Sequence, residues 1–490
     1  RKALANVPAQ LPIDAHRSEI LDTIARNRVT IICGETGCGK SSRLPLMLLE
    51  NDSKAKMFVS QPRRIAARAL CDRVRQSLGD EVGLRLGFGE RDESRKTRLW
   101  FCSTGYLVRL VAAHPQALKT HTHIIVDEVH ERSVDTEILC LLLRRLVQEH
   151  PTIRVVLMSA TVCVDLYASY FGVDPRTSSL HVGARRFPVA EFYADDVVDS
   201  LRLPENLHSN AQRLVLHTGE RPPHASAQHP LVKAIVRSVG TPGSSILVFV
   251  PGLADILDLT DKIEQLPGFI CTPIHSDVPF DEQLTVFQKT EQVRVILATN
   301  AAESGVTIPD CDHVIDLGTA KELAYNAATH RSVLDQVWIS RSSAVQRAGR
   351  TGRVRPGSVY RLYGRDRYLR MSAFTTSEIH RQPLDKVVLD LMTLETDLTA
   401  ASMLSETVEP PAVDSVLRSY HELHASALIT SPQTDEADVT NMGAFVAQLG
   451  VDLHLGRLVG LSAQSGMLID GCALAATLSQ PRSPWRIASP

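Results

Sequence analysis

Nine cysteines are scattered through the 490 residues, with no CxxC pair and no Cys/His cluster at metal-ligand spacing. That distribution argues against a zinc site and for free, mostly buried thiols in a reducing, intracellular compartment. No apolar run reaches membrane-spanning length, although 44% of the residues are hydrophobic. Such a chain is expected to bury its apolar surface internally, to be soluble and to have no membrane partner. An excess of charge of one sign is also lacking, the formal net charge being -2. Bulk-electrostatic nucleic-acid binders are basic, so any nucleic-acid site here has to be a local groove. There is no internal repeat of solenoid period and no low-complexity tract. Arg1 is not an initiator Met, so the chain reads as a fragment, and the lack of a targeting segment then excludes nothing.

The length exceeds what one hydrophobic core holds, and two to four domains are expected. Short β-branched runs alternate with longer helical patterns. Val29 to Cys33, Ile124 to Asp127, Val155 to Met158, Ile246 to Val250, Val293 to Ala298 and Val314 to Asp316 read as buried strands. Helical stretches such as Ile138 to Gln148 and Ala254 to Gln265 lie between them. This alternation predicts an α/β fold with parallel sheets covered on both faces. From about Arg185 to His229 the sequence turns polar and rich in Pro, His and Ser, which reads as a linker plus surface insertion between two α/β domains. His208, His217, His224 and His229 in this stretch are irregularly spaced, and a solvated loop is the better reading than a metal tract. After about Tyr363 the β-branched strands stop. Leu384, Val387, Val388, Leu391 and Leu394 recur at helical spacing, and further amphipathic regions run from Val413 to Leu428 and from Met442 to Leu478.

Two motifs carry chemistry. Gly34-Glu35-Thr36-Gly37-Cys38-Gly39-Lys40-Ser41 follows one predicted strand and precedes the helical run from Leu44 to Leu49, the context a P-loop requires. Its glycines let backbone N–H groups turn toward phosphate oxygens, Lys40 places a cation on the outer phosphates, and the Ser41 hydroxyl can ligate Mg²⁺, with Ser42 completing the helix start. The second motif, Ile124-Ile125-Val126-Asp127-Glu128-Val129-His130, releases two carboxylates at the end of an apolar strand, where parallel sheets bind ligands. Asp127 would hold Mg²⁺ largely through water, with Glu128 beside it counted in the metal set together with Ser41 and also orienting and deprotonating the attacking water. His130-Glu131 does not extend to a zinc protease motif, because the second histidine is replaced by Val134.

On these residues the chain resembles the DEAH/RHA-type helicases of superfamily two, on the RHA-like side because the acidic motif reads Asp-Glu-Val-His. Eight family motifs occur in order. After motif I at Gly34 to Ser41 come Ser60-Gln61-Pro62-Arg63-Arg64 for motif Ia and Ser103-Thr104-Gly105 for motif Ib. Asp127 to His130 resembles motif II, Ser159-Ala160-Thr161 motif III and Phe249-Val250-Pro251-Gly252 motif IV. The stretch from Ala298 to Ile308 resembles motif V, with Gly305 where many members have a hydroxyl residue, and Gln346 to Arg353 resembles motif VI.

The resemblance implies two tandem RecA-like P-loop domains, about 1–185 and 186–365, the second carrying the polar insertion at about 195–230. A winged-helix domain at 366–435 and a ratchet-like helical domain from 436, truncated and without the OB-fold that follows it in the family, complete the expected architecture. ATP or another NTP would sit between the two α/β domains with Mg²⁺. Arg350 and Arg353 would reach across as arginine fingers, and Gln346 would help position the lytic water. Read alone, these arginines are a basic patch; the P-loop and acidic motif favour fingers. Arg73 and Phe287 match the positions that stack the base, and the lesser alternative for Phe287 is a core aromatic on a helix. Arg63, Arg64, Thr104, Gly105, Thr299 and Thr307 match residues that contact the RNA backbone, which gives position without sequence specificity. The expected activity is ATP-driven 3′ to 5′ movement on single-stranded RNA within a large ribonucleoprotein, with a G-patch-type activator as a possible partner. Cytoplasm, nucleus and mitochondrion all stay open. The alternatives are an assembly scaffold with minor ATPase activity and a DNA helicase.

Overall fold

The computed structural model describes residues 11–35, 37–87, 89–160, 164–183, 187–275, 290–304, 311–326, 331–352 and 355–480. Thr36, Thr161, Phe287, Gly305, Thr307 and Arg353 lie outside the described residues.

The strand runs form two sheets. The first has eight strands, in spatial order Arg91–Asp92, Val82–Arg85, Leu99–Ser103, Met57–Gln61, His123–Val126, Arg154–Ser159, Val29–Cys33 and Ser179–His181. All its pairings are parallel except that of the short strand Arg91–Asp92 with Val82–Arg85. The second sheet is wholly parallel, in the order Phe269–Ile274, Val293–Ala298, Ser245–Phe249, His313–Asp316, Gly357–Arg361 and Val189–Tyr193. Burial on both faces explains why the central strands read as unbroken apolar runs. Alternate residues feed opposite cores: Ile31, Ile124, Val126 and Leu157 point one way, Ile32, Ile125, Val156 and Met158 the other. In the second sheet Ile246 and Val248 oppose Leu247 and Phe249 in the same manner. Every parallel strand ends on the same edge of its sheet, and that shared edge is what gathers the motif residues.

The C-terminal helices as far as Asn441–Leu449 share a core with the first domain. Ile379, Leu384, Val388, Met403, Leu404, Tyr420 and Leu423 belong to the same continuous hydrophobic core as Leu107, Ile138 and Leu142 of the first domain. Polar bonds stitch the seam: Glu406 accepts from Arg144 at 3.0 Å and from Arg145 at 2.6 Å. Among the described residues, no helix is long and apolar enough to cross a membrane.

The polar stretch between the sheets is more structured than the reading of a surface insertion allows. Val189–Tyr193 is the edge strand of the second sheet. Val197, Val198, Leu203, Leu207, Ala211 and Leu214 enter that domain's core. The helices involved, Val197–Ser200 and His208–Val215, are too short for their periodicity to stand out among polar neighbours. His208, His217 and His224 do lie on the surface, bonded to Asp199, the Arg221 carbonyl and Ser226 respectively. His229 does not: it is buried against Asp258, at 2.5 Å. The sequence also concealed a long antiparallel hairpin, Thr319–Asn326 with Arg331–Trp338, whose strands lack a recognisable turn dipeptide. Its base is strapped by the stretch after Val215, through Gln336 to the Pro223 carbonyl at 3.0 Å and Trp338 to the Gly219 carbonyl at 3.4 Å.

Two imidazoles under the first sheet tie its stability to pH. His121 stacks on Phe58 with ring centroids 4.8 Å apart, and His123 is buried at the start of its strand. Burial, with Arg85 near the first and Arg154 near the second, lowers both from 6.5 to about 4. Between those values the unfolded chain takes up protons that the folded chain refuses, so stability falls as pH drops from 6.5 to 4. The cost is up to about 3 kcal/mol per imidazole. Thermal melts across this window should show the variant His121→Phe/His123→Gln losing less stability on acidification than the parent; parallel melting curves would refute the assignment.

Candidate active site between two domains

The loop after Val29–Cys33 is built by its glycines. Gly37 and Gly39 have φ of 86° and 104°, a region closed to side chains. A Cβ on Gly39 would also lie 2.8 Å from Leu11 and 2.9 Å from Ile13. Gly39 then caps the helix Lys40–Asn51 without any side-chain acceptor on the first-turn N–H groups. Exposed N–H groups at the positive end of a twelve-residue helix form an anion-binding site. Lys40 is buried, with Nζ bonded to the Gly34 carbonyl and, at 3.1 Å, to the Glu35 carbonyl; the Cys38 Sγ is 3.7 Å away. Ser41 and Ser42 follow on the helix's first turn.

The acidic pair stands opposite. Asp127 is buried, and its carboxylate accepts from Ser41, from Gln61 Nε2 at 2.5 Å and from the Glu128 N–H at 2.9 Å. Desolvation still outweighs these bonds and the Lys40 charge, and the carboxyl is raised. Glu128 is pushed up to about 8, first by burial and then by the adjacent Asp127 charge, with Lys40 and Arg350 opposing. Lys40 is thus within electrostatic reach of both carboxylates. A hydroxyl beside a buried carboxylate is an all-oxygen donor set of the kind a hard divalent cation takes, so Ser41 and Asp127 fit Mg²⁺.

Two further contributors were not singled out from the sequence. Gln61 ends the strand Met57–Gln61, which runs parallel to and flush with His123–Val126, so its amide meets Asp127. His130 accepts from the Ala160 N–H at 3.1 Å and lies 3.5 Å from Glu128, linking the acidic motif to the Ser159-Ala160 strand end. Burial, then Lys40, lowers its imidazole to about 3. The sheet order, which places Arg154–Ser159 beside His123–Val126, was the signal for this link.

The second domain supplies Arg350 and Gln346, both buried. Arg350 donates to the Glu303 carbonyl and its charge reaches Glu128. Gln346 lines a groove of about 1210 Å³ shared by both domains and the C-terminal helices. Arg347, between them, faces inward. It is fully buried, pairs with Glu303 and Asp316 at 2.7 Å each, and lies 4.8 Å over the Phe249 ring. It therefore anchors the arginine-bearing helix to the sheet.

The expected backbone-contact residues divide. Arg63, Arg64 and Gly105 line the groove; Arg63 faces Glu131 at 3.7 Å and Arg64 faces Glu90 at 3.1 Å. Thr104 and Thr299 do not line it. Both are buried, because each side chain turns inward where a strand gives way to a helix, and the flanking Ser103 and Asn300 reach the groove instead. Arg73 is exposed on the helix Arg64–Leu78.

Comparison with known proteins matches this geometry. A family model described as DEAD/DEAH box helicase matches residues 14–167, and one described as helicase conserved C-terminal domain matches 230–355. The chain belongs to the DExH-box helicases. It is 34% identical over 474 residues to the human ATP-dependent RNA helicase DHX30, covering 93% of this chain and 38% of that protein. It is 30% identical over 539 residues to the Arabidopsis thaliana ATP-dependent RNA helicase DExH1, covering 99% and 53%. With the putative RNA helicase ucp12 of Schizosaccharomyces pombe the figures are 32% over 502 residues, 97% and 37%. This DExH-box chain thus spans about half the length of such relatives or less.

The Arg347 anchor makes a stability prediction. Arg347→Met leaves Glu303 and Asp316 as uncompensated buried carboxylates and should cost about 3–5 kcal/mol. Denaturant titration would show it; a loss below 1 kcal/mol would mean the pairs are not closed in solution.

Proposed function

We propose that this chain is the motor of an ATP-dependent RNA helicase, hydrolysing ATP between its two α/β domains and moving 3′ to 5′ along single-stranded RNA. The observation that carries the reading is the groove joining the two domains, where His130 and Glu131 of the acidic motif face Glu303 and Gln346 of the second domain, with Arg350 bonded to the Glu303 carbonyl. Hydrolysis needs groups from both domains, so the bond that breaks is tied to the separation of the domains. Support for RNA comes from the names of the relatives and from the groove lined by Arg63 and Arg64.

The residues divide the work. The N–H groups of the P-loop and Lys40 bind the phosphates and offset their charge. Glu128, whose carboxyl is made more basic by burial and by Asp127, accepts a proton from the attacking water in its ionised form, and Gln346 orients that water. Arg350 stabilises charge developing on the γ-phosphate. Mg²⁺, held by Ser41 and Asp127, would supply charge neutralisation on the phosphate oxygens. Gly105 lines the groove without a side chain, since a Cβ there would lie 2.8 Å from the Asp135 carboxylate. Contacts of this kind to sugar and phosphate carry no sequence information, as a translocating motor requires.

The test is ATP hydrolysis with and without single-stranded RNA, with single-stranded DNA as competitor. Glu128→Gln should lower the stimulated kcat by about 10²–10⁴-fold, and Arg350→Ala by about 10³-fold. Lys40→Ala should abolish hydrolysis and leave RNA affinity nearly unchanged. Displacement should favour duplexes with a 3′ single-stranded tail. Wild-type hydrolysis indifferent to RNA would favour a scaffold, and preferential stimulation by DNA would favour a DNA motor.

A further inference from the structure

We propose that Arg132 is a positioning residue for hydrolysis, held by the C-terminal helical region so that the turn carrying Glu128 keeps its shape. The inference rests on Glu128 acting as described above.

The segment from Glu128 to Arg132 is a single 3-10 turn, Val129–Glu131, with a left-handed residue at each end. Glu128 has φ 55° and Arg132 φ 54°. Only Arg202 and Ala427 share this conformation among the other described non-glycine residues. A residue with a Cβ avoids the left-handed region and keeps it only where its surroundings over-determine it. Two left-handed residues bracketing one turn mean that the turn is fixed from outside, and the contacts say by what.

The first domain holds the middle. Tyr167 donates its hydroxyl to the Val129 carbonyl at 2.7 Å, the Ala160 N–H holds His130, and the Glu131 N–H closes on the Glu128 carbonyl at 3.0 Å. The far end belongs to the C-terminal region. Arg132 is buried; its guanidinium meets Glu137 at 2.8 Å and Glu409 at 2.9 Å. Its carbonyl accepts from the Glu378 N–H at 3.0 Å and from the Ser377 hydroxyl at 3.3 Å. The pairing is reciprocal. Glu378 accepts from the Val134 N–H at 3.1 Å, and Glu137 accepts from the Val408 N–H at 3.1 Å. Side chain and backbone of Arg132 are thus both clamped by residues around 377 and 408.

Arg132 touches neither phosphate-binding loop nor acidic pair. Its influence runs through the turn to the backbone of Glu128. Loosening the clamp should therefore misplace the base and leave nucleotide and RNA binding in place. The seam provides an internal control. Glu406, three residues from Glu409, docks the same region onto Arg144 and Arg145 of the helix Val134–Glu149, away from the turn.

The experiment compares variants of the full chain by steady-state ATPase with saturating RNA. Arg132→Ala strands the buried Glu137 and endangers the fold, so the half-exposed Glu409 is the residue to change. Glu409→Ala should lower kcat about tenfold. KM for ATP and affinity for single-stranded RNA should stay within about twofold, because neither site is touched. Glu409→Gln keeps an acceptor for Arg132 and should retain most of the rate. Glu406→Ala should leave kcat within about twofold of wild type, since it loosens docking without reaching the turn. An unchanged kcat in Glu409→Ala overturns the inference, and so do equal losses in Glu409→Ala and Glu406→Ala, which would make docking alone responsible. A wild type without hydrolysis, or Glu128→Gln with full hydrolysis, overturns the assignment of Glu128 itself and the inference with it.

Discussion

Two neighbouring carboxylates at the end of a buried strand repel each other and lose hydration together, and most of the site follows from that constraint. Asp127 and Glu128 both carry raised pKa values because burial outweighs their partners. A pair in that position would simply protonate unless positive charge and donors were supplied nearby. Lys40 supplies the charge from the neighbouring loop, Ser41 and Gln61 supply donors to Asp127, and Arg350 adds charge from the other domain. Each compensating group comes from a different segment, and the parallel sheet is what brings their ends to one edge. The balance leaves Asp127 as the more fully bonded of the two carboxylates.

The same logic explains the second domain. Arg350 lies just beyond the short helix Arg341–Ala348 and depends on that helix for its placement. Arg347 provides the mount by burying its guanidinium between Glu303 and Asp316 under Phe249. Tyr363 bonds Asp316 at 2.9 Å and Arg361 at 3.0 Å, so the buried charges form a network rather than a lone pair. Networks of this kind hold geometry more than they add stability. Here the geometry held is that of Gln346 and Arg350.

Much of this was legible in the sequence, for reasons of period and spacing. Fully buried parallel strands announce themselves as apolar runs, and Val29–Cys33 and Val293–Ala298 coincide with the expected bounds. The P-loop was legible because its glycines are required by backbone geometry, and the acidic pair because two charges directly follow a buried run. What escaped reading is tertiary. No local pattern says that Gln61 meets Asp127, or that Thr104 and Thr299 turn inward while Ser103 and Asn300 face the groove. The helices of the polar stretch escaped because one or two turns give too few residues to show a period. The hairpin Thr319–Trp338 escaped because its strands carry mixed polarity.

The docking of the C-terminal helices changes how motion has to be pictured. Their core is continuous with that of the first domain, and Glu406, Glu409 and Glu378 reinforce the seam. The second domain meets this body through the hairpin residue Glu322, which pairs with Arg381 at 3.0 Å, and through Ser340, which bonds Thr375 at 3.0 Å. The groove lies along the boundary between the two, lined by Arg63 and Gly105 on one side and Asn300 and Gln346 on the other. Arg63 and Glu128 on one side and Gln346 and Arg350 on the other belong to one boundary, so any change in its width would move the groove and the Arg350 to Glu128 approach together.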